Sequence, residues 1–249
     1  MSFYTKEEES FVKKCNSIKE NAINNRKVTL LRFLNTREVE LLQYVCGSDV
    51  FIYLSKITDE DEYKRAVVSS FEIAPDFNIT ILKLIYPKKY LQINHRMILG
   101  ALMSYGITRD SIGDIFITTN EDVYLVVTKE IERFIKDEFR ILSHQSVELK
   151  NVLIIEGEIK HNYDILDSFV ASLRLDLIIA ERFKLSRSAS QDIIKEGRVK
   201  VNQKPIDNTS HILKEGDTIS VKGYGKMKLL EVGGLSKRDK IFVRLAKLL

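Results

Sequence analysis

The sequence has few of the residues that form disulfides, metal sites or membrane spans. Its two cysteines, Cys15 and Cys46, lie in helical patterns without metal-ligand spacing. We interpret them as reduced, buried thiols of a cytoplasmic protein. The four histidines are scattered, and no apolar run approaches the roughly 20 residues of a membrane span. The charged N-terminus also lacks a secretion signal. We therefore predict no cofactor, no metal site and no membrane partner.

Charge is distributed unevenly along the 249 residues. Residues 171–249 contain 17 Lys and Arg against 9 Asp and Glu, a formal charge of +8. Residues 1–170 contain 22 against 26, a formal charge of −4, so the whole chain carries +4. A basic module joined to a mildly acidic body predicts that nucleic-acid contacts are concentrated in the C-terminal third.

Residues 173–221 have the pattern of two helices followed by a hairpin. Either Ser186 or Ser188 can cap the second helix, and with Ser188 as cap Gln191 takes the capping-box position. Gly197 can end that helix, and Val199–Val201 alternates like a half-buried strand. The first helix carries one apolar stripe at helical spacing, formed by Leu175, Ile178, Ile179 and Phe183.

Arg and Lys occupy the positions between these buried residues, which suits a phosphate backbone. The block resembles an S4 RNA-binding domain in its order of Ser186-Arg187-Ser188, Gly197-Arg198-Val199 and Val201-Asn202. It departs at Gln203, where many such domains have glycine, and this bears on the turn type of the hairpin. We predict RNA binding, with the cations on one face, by Arg174, Ser186, Arg187, Ser188, Gln191, Lys195, Arg198, Lys200, Asn202, Lys204 and Lys226.

The first part of the chain predicts helices. One runs from Thr5 to Asn24, with Thr5 and Glu8 placed for a capping box. A second is capped by Asn35, has Glu38 at the box position and ends at Gly47. A short apolar run from Val50 to Leu54 predicts a strand. We interpret these helices as packing elements of the fold.

Residues 78–149 predict the order β-α-β-β-α-β of a ferredoxin-like domain, a topology shared with RNA-recognition domains. Phe116 and Tyr124 are available on its strands, but the usual glycine-aromatic motif is missing, so we do not predict base stacking on this sheet. The predicted class is α+β, with N-terminal helices in residues 1–74, a ferredoxin-like (RRM-like) domain in 75–165 and an αL-type S4 domain in 166–249.

The whole chain resembles the YlmH-type family of bacterial S4-domain proteins. The resemblance rests on the helical N-terminus, on residues 95–115 and on Gly223-Tyr224-Gly225-Lys226. It implies association with the large ribosomal subunit and rescue of stalled subunits in ribosome-associated quality control; a cell-division role is also attached to the family. It further favours an RNA contact for Arg96 and Arg109, which spacing alone would leave solvated. Asp61-Glu62-Tyr63-Lys64-Arg65-Ala66 departs from a more basic family version.

Enzyme classes that carry S4 domains lack support in the remaining motifs. Arg174-Leu175-Asp176 is similar to a pseudouridine synthase motif but lies inside the S4 block, not in a separate catalytic domain. A tyrosyl-tRNA synthetase would need a nucleotide-binding domain, and Leu235-Ser236-Lys237-Arg238 is only faintly similar to its signature and lies in the wrong place. A methyltransferase would need a glycine-rich loop after a strand, and Gly233-Gly234 has no such context. We predict a non-enzymatic, monomeric protein that binds rRNA, tRNA or both and associates with the large ribosomal subunit. A pseudouridine synthase and a cell-division factor stay open as alternatives.

Overall fold

The computed structural model describes residues 4–6, 8–160 and 163–248. The chain forms two compact units, residues 1–160 and 161–249. Residues 1–3 and 7, part of the N-terminal segment predicted to lack a secretion signal, lie outside the described residues. Among the helices of the described part, none is both long and apolar enough to cross a bilayer.

Both units mix helices with antiparallel strands. The first contains α1 Glu9–Asn25, β1 Thr29–Asn35, α2 Thr36–Cys46, β2 Phe51–Leu54, β3 Tyr63–Ser69, β4 Ile79–Ile85, α3 His95–Ser104, a 3-10 turn Arg109–Ser111, β5 Ile112–Ile117, β6 Val123–Thr128, α4 Lys129–Glu138, β7 Ile141–Leu142, β8 Gln145–Ser146 and β9 Glu148–Val152. The second contains β10 Tyr163–Val170, α5 Leu175–Phe183, α6 Arg187–Lys195, β11 Val199–Val201, β12 Lys204–Pro205, β13 Thr218–Val221, β14 Gly225–Leu235 and β15 Ile241–Leu248.

The N-terminal region is a helix–sheet layer, because β1, β3 and β2 form a three-stranded sheet beside α1 and α2. The α2 prediction is confirmed: Asn35 and Glu38 form both halves of the capping box, and Gly47 ends the helix. The predicted start of α1 is wrong. The helix begins at Glu9 and has no side-chain cap. The Glu8 carboxylate accepts from the Thr5 N–H and from Arg37, but the Thr5 hydroxyl does not complete a capping box.

The ferredoxin-like prediction is confirmed by the next sheet, whose antiparallel strand order is β5-β6-β4-β9. Helices α3 and α4 pack on one face of this sheet, where Ile98, Leu102 and Ile135 join the buried residues of the strands. Alternation along the strands leaves the other face for a second set of side chains.

That second face is closed by the N-terminal region. Phe33 of β1 packs against Phe116 and Tyr124, and all three side chains are buried. Gly113 permits this approach, because a Cβ at that position would lie 2.7 Å from the Phe33 ring. The surface on which RNA-recognition domains stack bases is therefore filled with protein, consistent with the expectation of no stacking there.

Gly113→Ala is expected to destabilise the first unit by about 1–3 kcal/mol, because the added methyl group overpacks the contact with Phe33. Gly100→Ala provides a matched control. Nothing lies within 4 Å of a Cβ at Gly100, which is exposed in α3, so alanine there is expected to stabilise by about 0.5–1 kcal/mol. Hydrogen exchange of peptides from residues 8–160 measures both changes. Equal effects of the two substitutions would contradict the close packing.

The second unit has one six-stranded antiparallel sheet in the order β10-β15-β14-β13-β11-β12. Helices α5 and α6 pack on its inner face, where Ile178 and Ile194 join Val199, Val201 and Ile219 in one buried cluster. The predicted helix-helix-hairpin order is confirmed within this larger sheet. The opposite, outer face carries the alternate side chains of the same strands.

The hairpin between β11 and β12 closes with a two-residue turn. Asn202 and Gln203 have φ values of 49° and 68°, so both adopt the left-handed conformation of a type I′ turn. Gln203 therefore keeps the turn that Asn-Gly usually forms, although a side chain in this region is disfavoured. The Asn202 side chain compensates by donating to Asp217 and accepting from the Thr218 N–H, at 2.8 and 2.9 Å.

Candidate nucleic-acid interface

A buried carboxylate, Asp176 in α5, organises the helices of the second unit. It accepts from Arg174 Nε and Nη2, both at 3.0 Å, and from Gln191 Nε2 at 2.7 Å. Arg187 Nε lies 3.3 Å from the same carboxylate. The Ser190 hydroxyl donates to the Asp176 carbonyl. Three of the predicted RNA-binding residues are thus brought together by one anion.

These contacts determine the ionisation of Asp176. Burial alone would raise its pKa, but hydrogen bonds from Arg174, Gln191 and Arg187 stabilise the carboxylate and lower the pKa to about 2. The carboxylate is therefore charged at neutral pH. It holds Arg174 and Arg187 in fixed positions on the helical side of the unit.

Helix α6 presents Arg187 in its first turn. Ser186, not Ser188, is the N-cap, because its hydroxyl accepts from the Ala189 N–H at 3.1 Å. Gln191 consequently binds Asp176 instead of forming a capping box. The Arg187 side chain is 59% exposed despite its contact with Asp176. Its guanidinium can therefore bind a phosphate while Asp176 orients it.

A second group of cations lies on the outer face of the sheet. Lys200 of β11 pairs with Ser220 of β13, which pairs with Lys226 of β14, so the three residues form a row across the strands. Lys228 follows on the same side of β14, since Met227 and Leu229 between these positions are buried. We call Lys200, Ser220, Lys226 and Lys228 the sheet surface.

The prediction that all cations line one face is wrong. Arg187 and Lys195 belong to α6, which packs on the inner face of the sheet. Lys200 lies between the buried Val199 and Val201 and therefore projects from the outer face. We call Arg174, Arg187 and Lys195 the helix surface. The second unit thus has two basic surfaces.

Several predicted RNA-binding residues have structural partners in the hairpin region. Arg198 donates to Glu196 at 3.1 Å and to the Lys222 carbonyl at 3.0 Å, which ties α6 to the end of β13. Asn202 stabilises its turn, as described above. Lys204 lies on β12 opposite Val201, which places it on the face opposite Lys200. These contacts fix the shape of the unit around the exposed lysines.

The two arginines predicted in the first unit have different environments. Arg96 is exposed in the first turn of α3, whereas Arg109 begins the 3-10 turn that follows this helix. Arg109 lies over the Tyr63 ring at 3.9 Å and donates to the carbonyls of Ile112 and Gly113. The Arg109 side chain is therefore held by contacts within the first unit, and a joint RNA contact of Arg96 and Arg109 stays a prediction.

Comparisons with known proteins agree with this architecture. Residues 73–156 match the family model described as "Putative RNA-binding domain in YlmH", and residues 173–219 match the S4 domain. A relative from Bacillus subtilis (strain 168), "Ribosome-associated protein quality control protein P2", is 32% identical over 242 residues, covering 95% of this chain and 94% of the relative. The chain belongs to the YlmH family.

A solved structure also relates the fold to this family. The cell division protein ylmH from Streptococcus pneumoniae matches with a TM-score of 0.53 and 17% identity, over 61% of this chain and 95% of that one. At this identity the likeness shows a shared fold. Within the described residues 4–6, 8–160 and 163–248, no group of three or more His, Cys, Asp or Glu side chains is placed to hold a metal ion.

Two residues of the candidate interface in this YlmH family member are absent from the sequence-based prediction. Asp176 lies in a short motif whose spacing gives no sign of its contacts with Arg187 and Gln191, because these form only when α5 and α6 pack together. Lys228 could have been found from sequence, because Lys226-Met227-Lys228-Leu229 alternates polar and apolar residues in the manner of a half-buried strand.

Proposed function

We propose that the protein is a non-enzymatic RNA-binding protein that associates with the large ribosomal subunit in the cytoplasm. Its second unit binds rRNA or tRNA through the helix and sheet surfaces. Its task is the rescue of stalled ribosomes in ribosome-associated quality control. The name of the Bacillus subtilis relative supports this task, and the two matched RNA-binding domains support the ligand.

The proposal depends on exposed lysines in the second unit, where several carboxylates are bound by internal partners. Asp176, Asp217 and Glu231 are held by internal partners: Arg174, Asn202 and Arg244 respectively. Lys195 and Lys200 are exposed, and within the described residues neither contacts a carboxylate. Such a surface attracts a phosphate backbone with little discrimination between bases.

The same contacts argue against the pseudouridine synthase alternative. A catalytic aspartate must reach the substrate base, whereas Asp176 is completely buried and its carboxylate already accepts from two arginines and a glutamine. The carboxylate therefore serves as a positioning group for Arg174 and Arg187. A uridine-isomerisation assay with ribosomal RNA and tRNA distinguishes the two functions directly.

Subunit preference is tested by sedimentation of the full chain with ribosomal subunits at low salt. We expect the protein to migrate with large subunits and not with small ones.

The variant Lys200→Ala/Lys226→Ala/Lys228→Ala is expected to shift towards the free fraction. Each lost phosphate contact is expected to lower the slope of log affinity against log salt by about 0.7–0.9.

Lys237→Ala is the control for the loss of a single positive charge and is compared with Arg187→Ala. It removes one exposed lysine beyond the far end of β14, roughly 30 Å from Lys226. It is expected to change the salt slope little. Arg187→Ala tests the helix surface in the same titration. If the triple-lysine variant and Arg187→Ala both keep the original salt slope, the second unit is not the RNA-binding surface.

A further inference from the structure

The middle domain of this chain matches an RNA-binding family model, yet the sheet face that usually stacks bases is closed. Phe116 and Tyr124 are buried beneath Phe33, so neither ring can reach a nucleotide. An aromatic residue that contacts RNA from this domain must therefore lie elsewhere on its surface. Tyr90 is 72% exposed, the largest exposure of any aromatic side chain in the described residues.

Tyr90 lies in the loop between β4 and α3, and this loop is firmly anchored. The Tyr90 N–H donates to the Pro87 carbonyl at 2.9 Å, and the next residue, Leu91, is buried in the core of the domain. Tyr86 donates from its hydroxyl to the Glu121 carbonyl at 2.6 Å. Lys88 binds Asp122 at 2.7 Å. The ring is thus displayed on fixed backbone, which lowers the entropy cost of stacking.

The segment of the sequence that contains Tyr90 is basic. Residues 77–109 contain five Lys or Arg and no Asp or Glu. Lys83 and Lys88 share Asp122, and Arg109 is held over Tyr63. Lys89 lies with its Nζ 5.6 Å from the Tyr90 ring centroid. Neither Lys89 nor Arg96 contacts a carboxylate among the residues that the structure describes.

An exposed aromatic ring beside unpaired cations is the combination that binds single-stranded nucleic acid, because the ring stacks a base and the cations contact flanking phosphates. We propose that Tyr90 stacks an unpaired RNA base, with Lys89 and Arg96 contacting the adjacent phosphates. This inference rests on the proposed RNA-binding function and adds a second contact in the first unit. The ligand is an unpaired segment, since bases inside a duplex are already stacked.

The test uses full-length protein and a 12-nucleotide single-stranded RNA containing 2-aminopurine, whose fluorescence falls on stacking. Tyr90→Ala is expected to weaken binding about 5- to 100-fold and to abolish the quenching. Tyr90→Phe keeps the ring and is expected to behave like the original protein. Tyr44→Ala removes another exposed tyrosine, 56% exposed on α2, and is the matched control.

The salt dependence of RNA affinity distinguishes the contribution of the Tyr90 ring from that of the two cations. Tyr90→Ala is expected to leave the salt slope unchanged, whereas Lys89→Ala and Arg96→Ala are each expected to lower it by about 0.7. Unchanged RNA affinity in Tyr90→Ala would overturn the inference. So would a loss in Tyr90→Phe as large as that in Tyr90→Ala, because the hydroxyl would then be responsible.

A protein partner gives a different result. If Tyr90→Ala weakened ribosome association but not binding to the 12-nucleotide RNA, the ring would contact a protein, and the inference would fail. The proposed function is tested separately by the sheet-surface triple variant. An effect of that variant without any effect of Tyr90→Ala would leave the proposed function standing and reject only the base-stacking contact.

Discussion

Val199→Asp is expected to unfold the second unit, whereas Lys200→Asp, one residue further along the same strand, is expected to leave it folded. Val199 is completely buried in the cluster of apolar side chains that joins α6 to the sheet, where a carboxylate would be surrounded by hydrocarbon. An uncompensated buried charge costs about 3–5 kcal/mol, and the lost valine packing adds about 2 kcal/mol. Together these approach the 5–15 kcal/mol that typically stabilises a domain.

Lys200 has the opposite environment, since its side chain is exposed on the outer face. Lys200→Asp therefore introduces the same charge without burying it. Hydrogen exchange of peptides from residues 163–248 resolves the two variants and leaves the first unit as an internal reference. Slow exchange of β11 and β13 amides in Val199→Asp would mean that the sheet stays folded with an aspartate at residue 199. The assignment of this residue to the buried face of β11 would then be incorrect.

Asp176→Asn is expected to destabilise the second unit by about 2–4 kcal/mol at neutral pH. The amide keeps the size of the side chain but removes the charge that Arg174 and Arg187 share, and its NH₂ group cannot accept their hydrogen bonds. Two cations are then left close together without their anion. Gln191→Ala removes only the neutral donor and is expected to cost about 1 kcal/mol.

The pH dependence provides an independent measurement. The pKa of Asp176 is about 2 in the folded protein, below the value near 3.9 of an unfolded aspartate. Its contribution is therefore present above about pH 4 and is lost as the pH falls towards 2. Urea unfolding across this range is expected to show the original protein losing about 2–3 kcal/mol that Asp176→Asn does not lose. Parallel curves for the two proteins would contradict the role of the ion pairs.

The sequence predicted the elements whose signals are local. The α2 boundaries follow from Asn35, Glu38 and Gly47, because capping depends on residues within one or two helical turns. The S4 helices and the ferredoxin-like strand order were equally accessible from apolar spacing. Family membership and fold class are confirmed, whereas the individual RNA-binding residues stay predictions.

The missed features depend on contacts between distant parts of the chain. Strands β1 and β3 pair across 28 or more residues, and the predicted N-terminal helices left no partner for either strand. Arg65, in the segment that departs from the more basic family version, is buried and donates to the carbonyls of Leu31, Phe77 and Asn78. The contacts of Asp176 in α5 with Arg187 and Gln191 in α6 form only when the two helices pack together, so the sequence does not predict them. Secondary-structure propensity and the spacing of apolar residues depend on neighbours along the chain, so they do not predict contacts between distant segments.

The position of β15 in the sheet affects the order in which the strands of the second unit can pair during folding. This strand lies between β10 and β14, with Tyr163 opposite Leu248 at one end of the ladder. During synthesis, β10 emerges first but has no neighbour in the sheet until Ile241–Leu248 has followed it. The intervening helices and hairpin can form beforehand, because their contacts are local. Closure of the sheet is thus a late event in the formation of the second unit, and β10 remains an unpaired edge until that point.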